Sequence, residues 1–185
     1  MVDFGMPMGP LALLDEVGID VAAKVAGILT EAFGARMQKS TVVEKLYADG
    51  RHGKKNGKGL YVYENGKRKE PDSSVYKVIG VRSPKPAEDK AVVERMLLAM
   101  INEASLILEE KIVASAAELD LAMIMGTGFP PFRGGLLRYA DALGVPYILA
   151  RLDELSSKVG PRYAPNAPLK RLAERGIGFY QAYAR

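Results

Sequence analysis

One pattern of glycine, proline and aspartate occurs twice in this chain, and it limits the fold more than any other feature. Gly5-Met6-Pro7-Met8-Gly9-Pro10, with Asp15 and Gly18, has the same skeleton as Gly128-Phe129-Pro130 with Gly135, Asp141 and Gly144. Gly5 and Pro7 recur 123 residues later, whereas Gly9, Asp15 and Gly18 recur 126 later, because the second copy adds three residues after Pro130. The offset of 126 then holds through Leu29 and Leu155, Gly34 and Gly160, Arg36 and Arg162, Leu46 and Leu172, and Gly50 and Gly176. It shortens to 119 where Gly59-Leu60-Tyr61 meets Gly178-Phe179-Tyr180. A register kept over so many positions reads as two copies of one unit.

The unit is helical. Pro10 suits a first helical position, Leu11, Leu13, Leu14 and Val17 follow as an apolar face, and Gly18 stops the turn. Asp20 is expected to cap a helix over Val21–Phe33, ended by Gly34. Thr41-Val42-Val43-Glu44 and Ser115-Ala116-Ala117-Glu118 have the spacing of capping boxes, the second opening a helix to about Met125. Leu60–Tyr63 reads as a strand, and Asn65-Gly66 as a two-residue turn returning through Lys67–Glu70. Residues 71–88 read as irregular, with a linker at Ser83–Pro86. Val93, Leu97, Met100, Ile101, Ala104, Leu108 and Ile112 share one stripe of a long helix over Ala87–Ile112. Shorter helices are expected at Gly135–Leu143, Pro146–Ser157 and Pro168–Arg175, with Asn166 as a cap for the last. The second copy has a long helix and a capped helix before its Gly-x-Pro loop. The first copy has neither, so it is expected to lack its opening helix and to leave apolar surface uncovered, unless the helix over 87–112 covers both halves.

The composition is that of an ordinary globular protein, 48% hydrophobic and 26% charged. No cysteine is present. That removes disulfides, thiolate metal sites and thiol nucleophiles, and fits a cytoplasmic setting. The first residues lack the basic and apolar regions of a signal peptide, and no run of 18 apolar residues exists to span a membrane. The net charge is +4, with much of the excess between Arg51 and Lys69. A nucleic-acid binder more often carries a basic face with aromatics interleaved, so nucleic acid is not the expected partner.

Gly5–Pro10 with Leu13-Leu14-Asp15 and Gly18, and Gly53-Lys54-Lys55-Asn56-Gly57-Lys58-Gly59-Leu60-Tyr61-Val62-Tyr63, resemble the C-terminal helical domain of 3-hydroxyacyl-CoA dehydrogenases. Glu118-Leu119-Asp120 with Gly128-Phe129-Pro130-Pro131-Phe132-Arg133-Gly134-Gly135 resembles a second such domain. The tandem is similar to that of the multifunctional fatty-acid oxidation α-subunits. The resemblance implies a mainly α fold of duplicated domains, like the C-terminal domain of 6-phosphogluconate dehydrogenase, with one small β-hairpin. The domains are expected at 1–82, lacking the first long helix, and 87–185. It further implies the C-terminal part of a β-oxidation enzyme that carries enoyl-CoA hydratase and NAD-dependent 3-hydroxyacyl-CoA dehydrogenase activity when intact. Acyl-CoA is then the substrate, the NAD domain of the same chain is a partner, and a thiolase subunit is another candidate partner. The family's catalytic His, Glu and Asn lie outside this sequence, and the register puts the Asn position of the second copy near Glu94. No Gly-x-Gly-x-x-Gly follows a strand, so no cofactor site is expected here and the fragment alone is expected to be inactive. A free-standing helical scaffold or oligomerisation module is the alternative.

Met6, Pro7, Met8, Gly9, Pro10, Met125 and Phe129 are candidates to line the acyl groove, because methionines suit a pocket that takes varied chains. Core packing is the competing role for the methionines. Phe129–Phe132 reads as a rigid packing turn. Arg51, Lys54, Lys55 and Lys58 could meet CoA phosphates or merely solubilise a closing loop. His52, the sole histidine, has no carboxylate at a telling spacing and reads as a loop residue. Asp15 and Asp141 occupy equivalent places in the two copies, which favours a local structural task, such as accepting from free backbone donors, over acid–base chemistry. Arg133 is either paired with Asp141 or a helix end, or exposed.

Overall fold

A computed structural model describes residues 1–37 and 40–184. The order is α1 (Pro10–Val17), α2 (Ile19–Phe33), a 3-10 turn (Gly34–Arg36), α3 (Thr41–Ala48), the antiparallel hairpin β1 (Tyr61–Glu64) and β2 (Lys67–Pro71), and α4 (Ser74–Ile79). After these come α5 (Asp89–Glu109), α6 (Ala116–Thr127), a 3-10 turn (Pro131–Arg133), α7 (Leu136–Leu143), α8 (Val145–Lys158), a 3-10 turn (Pro161–Tyr163), α9 (Ala167–Arg175) and α10 (Phe179–Ala182). The fold is mainly α with one two-stranded hairpin among the described residues. The chain forms two compact units, one of Met8–Pro86 and one of Met1–Pro7 with Ala87–Arg185.

The duplication is visible in the backbone. Helices α1, α2 and α3 begin at Pro10, Ile19 and Thr41, and α7, α8 and α9 begin at Leu136, Val145 and Ala167, each 126 residues on. Gly18 (φ 106°, ψ 129°) and Gly144 (φ 89°, ψ 128°) make the same break between the first two helices of their copies. Few residues other than glycine adopt that backbone.

Each copy is closed by one aspartate. Asp15 on α1 accepts from the backbone N–H groups of Leu60 (2.9 Å) and Tyr61 (3.0 Å). Asp141 on α7 accepts from those of Phe179 (2.7 Å) and Tyr180 (3.0 Å). A carboxylate gripping two consecutive N–H groups makes two charge-assisted bonds and satisfies two donors. Gly59 and Gly178 precede the gripped pairs, and a Cβ on either would come within 2.2 Å and 2.6 Å of the aspartate oxygens. Asp120 on α6 makes a third grip of this kind, on Leu137 N–H (2.6 Å) and Arg138 N–H (3.0 Å) at the start of α7. Gly135 supplies the clearance there.

The two cores differ in size. In the second unit, α5 packs against α7, α8 and α9, and Leu97, Leu98, Ile101, Leu137, Ile148, Leu152 and Leu169 are buried together. In the unit of Met8–Pro86, the buried cluster among the described residues is Ile19, Leu46 and Val75. Leu137 is 0% exposed, whereas its repeat mate Leu11 is 54% exposed. Leu13, Val17, Val25, Ile28 and Phe33 are exposed with it. No element among the described residues of this unit takes the place that α5 takes in the other.

The smaller unit gains a different centre from residues 51–58, most of which have no counterpart in the second copy. Arg51 is 1% exposed. Its guanidinium donates to Asp49 (3.0 Å), Asp72 (2.7 Å), the Gly59 carbonyl and the Ser74 hydroxyl. One side chain thus ties the end of α3 to the strand approach and to α4. Burial works against the Asp72 carboxylate, but the bonds from Arg51 and Ser74 outweigh it and hold the carboxyl at about 2. Burial and the neighbouring Asp15 carboxylate push the Tyr63 phenol up to about 12.

Several expected boundaries shift. Helix α2 starts at Ile19, so Asp20 sits inside the first turn and pairs with Lys55 instead of capping. Thr41 is already helical, so the expected capping box there starts one residue late. The box at Ser115 forms, with Ser115 Oγ accepting from Glu118 N–H and Glu118 Oε2 accepting from Ala114 N–H. Helix α5 is shorter than expected at 21 residues. It ends where Lys111 takes a positive φ of 55°. Helix α4 lies in a stretch read as irregular, where Asp72 Oδ1 accepts from Ser74 N–H and turns the chain into it. Asn166 stands at the cap position of α9, but its side chain donates to the Asn102 carbonyl, while Asn102 Oδ1 accepts from Asn166 N–H. The turn residues Asn65 (φ 50°) and Gly66 (φ 73°) are both left-handed, as an Asn-Gly hairpin requires.

Replacing Asp15 or Asp141 by alanine is expected to lower stability by roughly 2–4 kcal/mol, since two partly buried backbone donors lose a charged acceptor. Urea denaturation of each variant measures it, and Gly59→Ala and Gly178→Ala should weaken the same grips. The unit holding Asp72 should also be acid-sensitive. A carboxyl at about 2 when folded, against 3.8 otherwise, stabilises the fold fully above pH ~4 and loses that contribution, about 2 kcal/mol, as pH falls through ~2. Asp72→Asn should flatten the acid limb of a stability–pH curve. A phenol raised from 10.0 to about 12 acts at the other end: its contribution is present below pH ~10 and lost towards ~12. Tyr63→Phe should remove that loss.

Candidate functional site: a cleft at the head of the long helix

A cleft of about 760 Å³ in the second unit opens where α5 begins. Asp120 fixes the start of α7, and that helix delivers Tyr139 and Leu143 to one wall. Helix α5 brings Val93, Glu94 and Leu97, and α8 brings Tyr147 and Arg151. Asp3 and Phe4 close the cleft from the N-terminal segment.

That segment is held by the loop unique to the second copy. Arg133 donates Nε–H to the Phe4 carbonyl (3.0 Å) and lies over the Phe4 ring at 4.0 Å. Phe4 in turn meets Phe129 and Tyr139 edge to face, at 5.7 and 5.4 Å between centroids. The two Gly-x-Pro motifs meet each other: a Cβ on Gly5 would strike Pro130 and Phe132, and one on Gly128 would strike Pro7.

At the opposite edge, Glu94 accepts from Arg151 Nη2 (2.7 Å) and Nε (3.2 Å), and also from the Tyr147 hydroxyl. The Arg151 bonds hold the Glu94 carboxyl below the usual range against the push of partial burial, and Tyr147 adds to them. The same Glu94 contact raises the Tyr147 phenol. Arg151 also pairs with Glu154. Glu94, which the repeat register sets near the family's Asn position, is thus spent in an ion pair.

The groove candidates are dispersed. Phe129 is 0% exposed and belongs to the core with Phe4 and Tyr139. Met125 on α6 is 79% exposed. Met6 is half-buried against the core of the same unit, and Pro7 contacts Gly128 there. Met8 is exposed, Gly9 is the N-cap of α1 and Pro10 its first residue. The basic loop is engaged within its own unit: Arg51 as above, Lys54 with Glu16 (2.9 Å), Lys55 with Asp20 (2.9 Å) and Lys58 with Asp49 (3.1 Å). The His52 ring lies 5.7 Å from that of Tyr47. The Glu94–Arg151–Tyr147 cluster, Asp120 and the burial of Arg51 were not read from the sequence. The Gly-Gly before α7 was the one available sign of Asp120.

The fold and its closing grips define a class. The family model for the 3-hydroxyacyl-CoA dehydrogenase C-terminal domain matches residues 1–63 and 92–178, and the chain belongs to that family. A relative from Shewanella halifaxensis, the fatty acid oxidation complex subunit alpha, is 44% identical over 181 residues, 97% of this chain and 26% of the relative. The chain therefore spans about a quarter of that relative's length. Among solved structures, the dehydrogenase part of multifunctional enzyme 1 from C. elegans has a TM-score of 0.66 at 27% identity, covering 92% of this chain and 40% of that one. The 3-hydroxybutyryl-CoA dehydrogenase of Escherichia coli K12 shares the fold, with a TM-score of 0.68 at 24% identity, covering 94% and 52%.

Arg133→Ala is expected to release the N-terminal segment. Hydrogen exchange at the Gly5 and Met6 amides should quicken severalfold, and stability should fall by about 1–2 kcal/mol. The exposed Lys158→Ala, measured alongside, should alter neither.

Proposed function

We propose that this chain is the C-terminal, non-catalytic part of a 3-hydroxyacyl-CoA dehydrogenase in a fatty-acid β-oxidation enzyme that also carries enoyl-CoA hydratase. The observation that carries it is the family match to both copies of the repeat, joined to a relative of the same kind over 97% of the chain. The intact enzyme oxidises the 3-hydroxyl of an acyl-CoA by hydride transfer to NAD. The residues described here wall the acyl-CoA cleft and brace the NAD domain. Domains at 1–82 and 87–185, acyl-groove contacts from Met6–Pro10 and Met125, a cytoplasmic location and a thiolase subunit as a further partner belong to the same proposal. Exposed, flexible methionines such as Met125 and Met8 support the groove assignment. No helix among the described residues is long and apolar enough to cross a membrane.

Dinucleotide sites of this enzyme class need a parallel sheet with a glycine-rich turn into a helix. The only sheet among the described residues is the β1–β2 hairpin. The 185-residue chain alone is therefore expected to give no NAD-dependent oxidation of 3-hydroxybutyryl-CoA, followed as NADH absorbance. Turnover by the pure chain would refute the proposal. So would a gene whose coding sequence upstream of Met1 lacks a dinucleotide-binding domain, which would favour a free-standing scaffold.

A further inference from the structure

Arg133 is charged, half-buried and without a counter-ion. Its Nε–H is spent on the Phe4 carbonyl, and its plane lies over Phe4 (4.0 Å), Phe132 (5.3 Å) and Tyr139 (5.6 Å). No carboxylate pairs with it and no acceptor meets its Nη groups among the described residues. Arg151, lining the same cleft, is paired with Glu94 and Glu154. The guanidinium also lies in the expanded part of the second copy, where Pro131-Phe132-Arg133-Gly134 stand in place of Met8 alone.

The cleft beside it, about 760 Å³, is of the size that holds small molecules. Phe4, Val93, Leu97 and Leu143 give it an apolar wall. Asp3, Glu88 and Asp89 stand on its lining with Lys90. These carboxylates, with the Arg151-paired Glu94 on the same lining, repel a multiply charged head such as a phosphate group more strongly than a singly charged one. A single carboxylate matches the fork of one guanidinium, and a guanidinium over aromatic rings is already partly desolvated for it.

We propose that this cleft binds a medium-chain monocarboxylate, its head on Arg133 and its hydrocarbon tail along Phe4, Val93, Leu97 and Leu143. The site lies wholly in the second unit and does not depend on the dehydrogenase assignment. Arg133 also clamps the N-terminal segment, so its removal alone is an ambiguous test. Leu143→Trp fills the cleft and leaves Arg133 on Phe4.

The experiment is a titration of the isotope-labelled chain with decanoate below its micelle concentration, followed by amide NMR shifts, with decanol as the uncharged comparison. Expected are saturable one-site shifts at Leu97, Tyr139 and Leu143, binding of decanol about tenfold weaker or more, and a similar loss in Arg133→Leu, as for a hydrogen bond to a charged group. Leu143→Trp should abolish the saturable shifts while the Phe4 and Gly5 amides keep their native positions. Four results would overturn the site: no saturation, equal affinity for decanol, binding unchanged in Leu143→Trp, or shifts centred on the exposed face of Leu11, Leu13 and Ile28.

Discussion

The structure depends on a carboxylate that accepts from two consecutive backbone N–H groups. It occurs three times among the described residues, at Asp15, Asp120 and Asp141, and each time a glycine one or two residues before the gripped pair makes room. In the second unit the grips form a relay. Asp120 of α6 holds the start of α7, and Asp141 near the end of α7 holds the start of α10, whose Tyr180 hydroxyl returns to Asp120 (2.9 Å). Short helices of eight or four residues have little stability of their own. Their placement comes from these grips and from the core that α5 seals.

The two copies reach closure by different chemistry. In the second, Gly176 and Gly178 are separated by Ile177 alone, and the chain passes straight into the gripped pair. In the first, a longer loop intervenes and sends Arg51 into the interior, where four acceptors surround it. A buried charge of that kind is a costly way to fill space and gives geometric definition in return. It accompanies the thinner apolar nucleus of Ile19, Leu46 and Val75. The loop's lysines pair with Glu16 of α1, Asp20 of α2 and Asp49 after α3.

Much of this was legible from spacing. The register of 126 located three pairs of equivalent helices, and Gly18, Gly34 and Gly50 share their positive φ with Gly144, Gly160 and Gly176. The equivalence of Asp15 and Asp141 pointed to donor binding, which is what both do. Distances between elements were not legible. Nothing local in Glu94 or Arg151, 57 residues apart, announces their pairing, and Arg51 in a lysine-rich run looks like a solvent residue. Phe129–Phe132 was legible as a packing turn, but not the partner of its first ring: Phe129 is buried against Phe4, which lies far away in sequence. Ser73–Ile79 lacked a long apolar stripe, and the Asp72 contact that starts α4 is a side-chain effect that periodicity does not report.

The crossed contact of the Gly-x-Pro motifs bears on how the duplicated halves have diverged. Gly5 leaves space for Pro130 as Gly128 leaves space for Pro7, so a bulkier residue at either glycine is blocked by the opposite motif, whatever its own copy tolerates. The middle residues escape that constraint, and there the copies have parted, methionine in one and phenylalanine in the other. Four positions drawn from two distant stretches of the chain therefore behave as a single unit of sequence change, and a library that varied them one at a time would miss the permitted combinations.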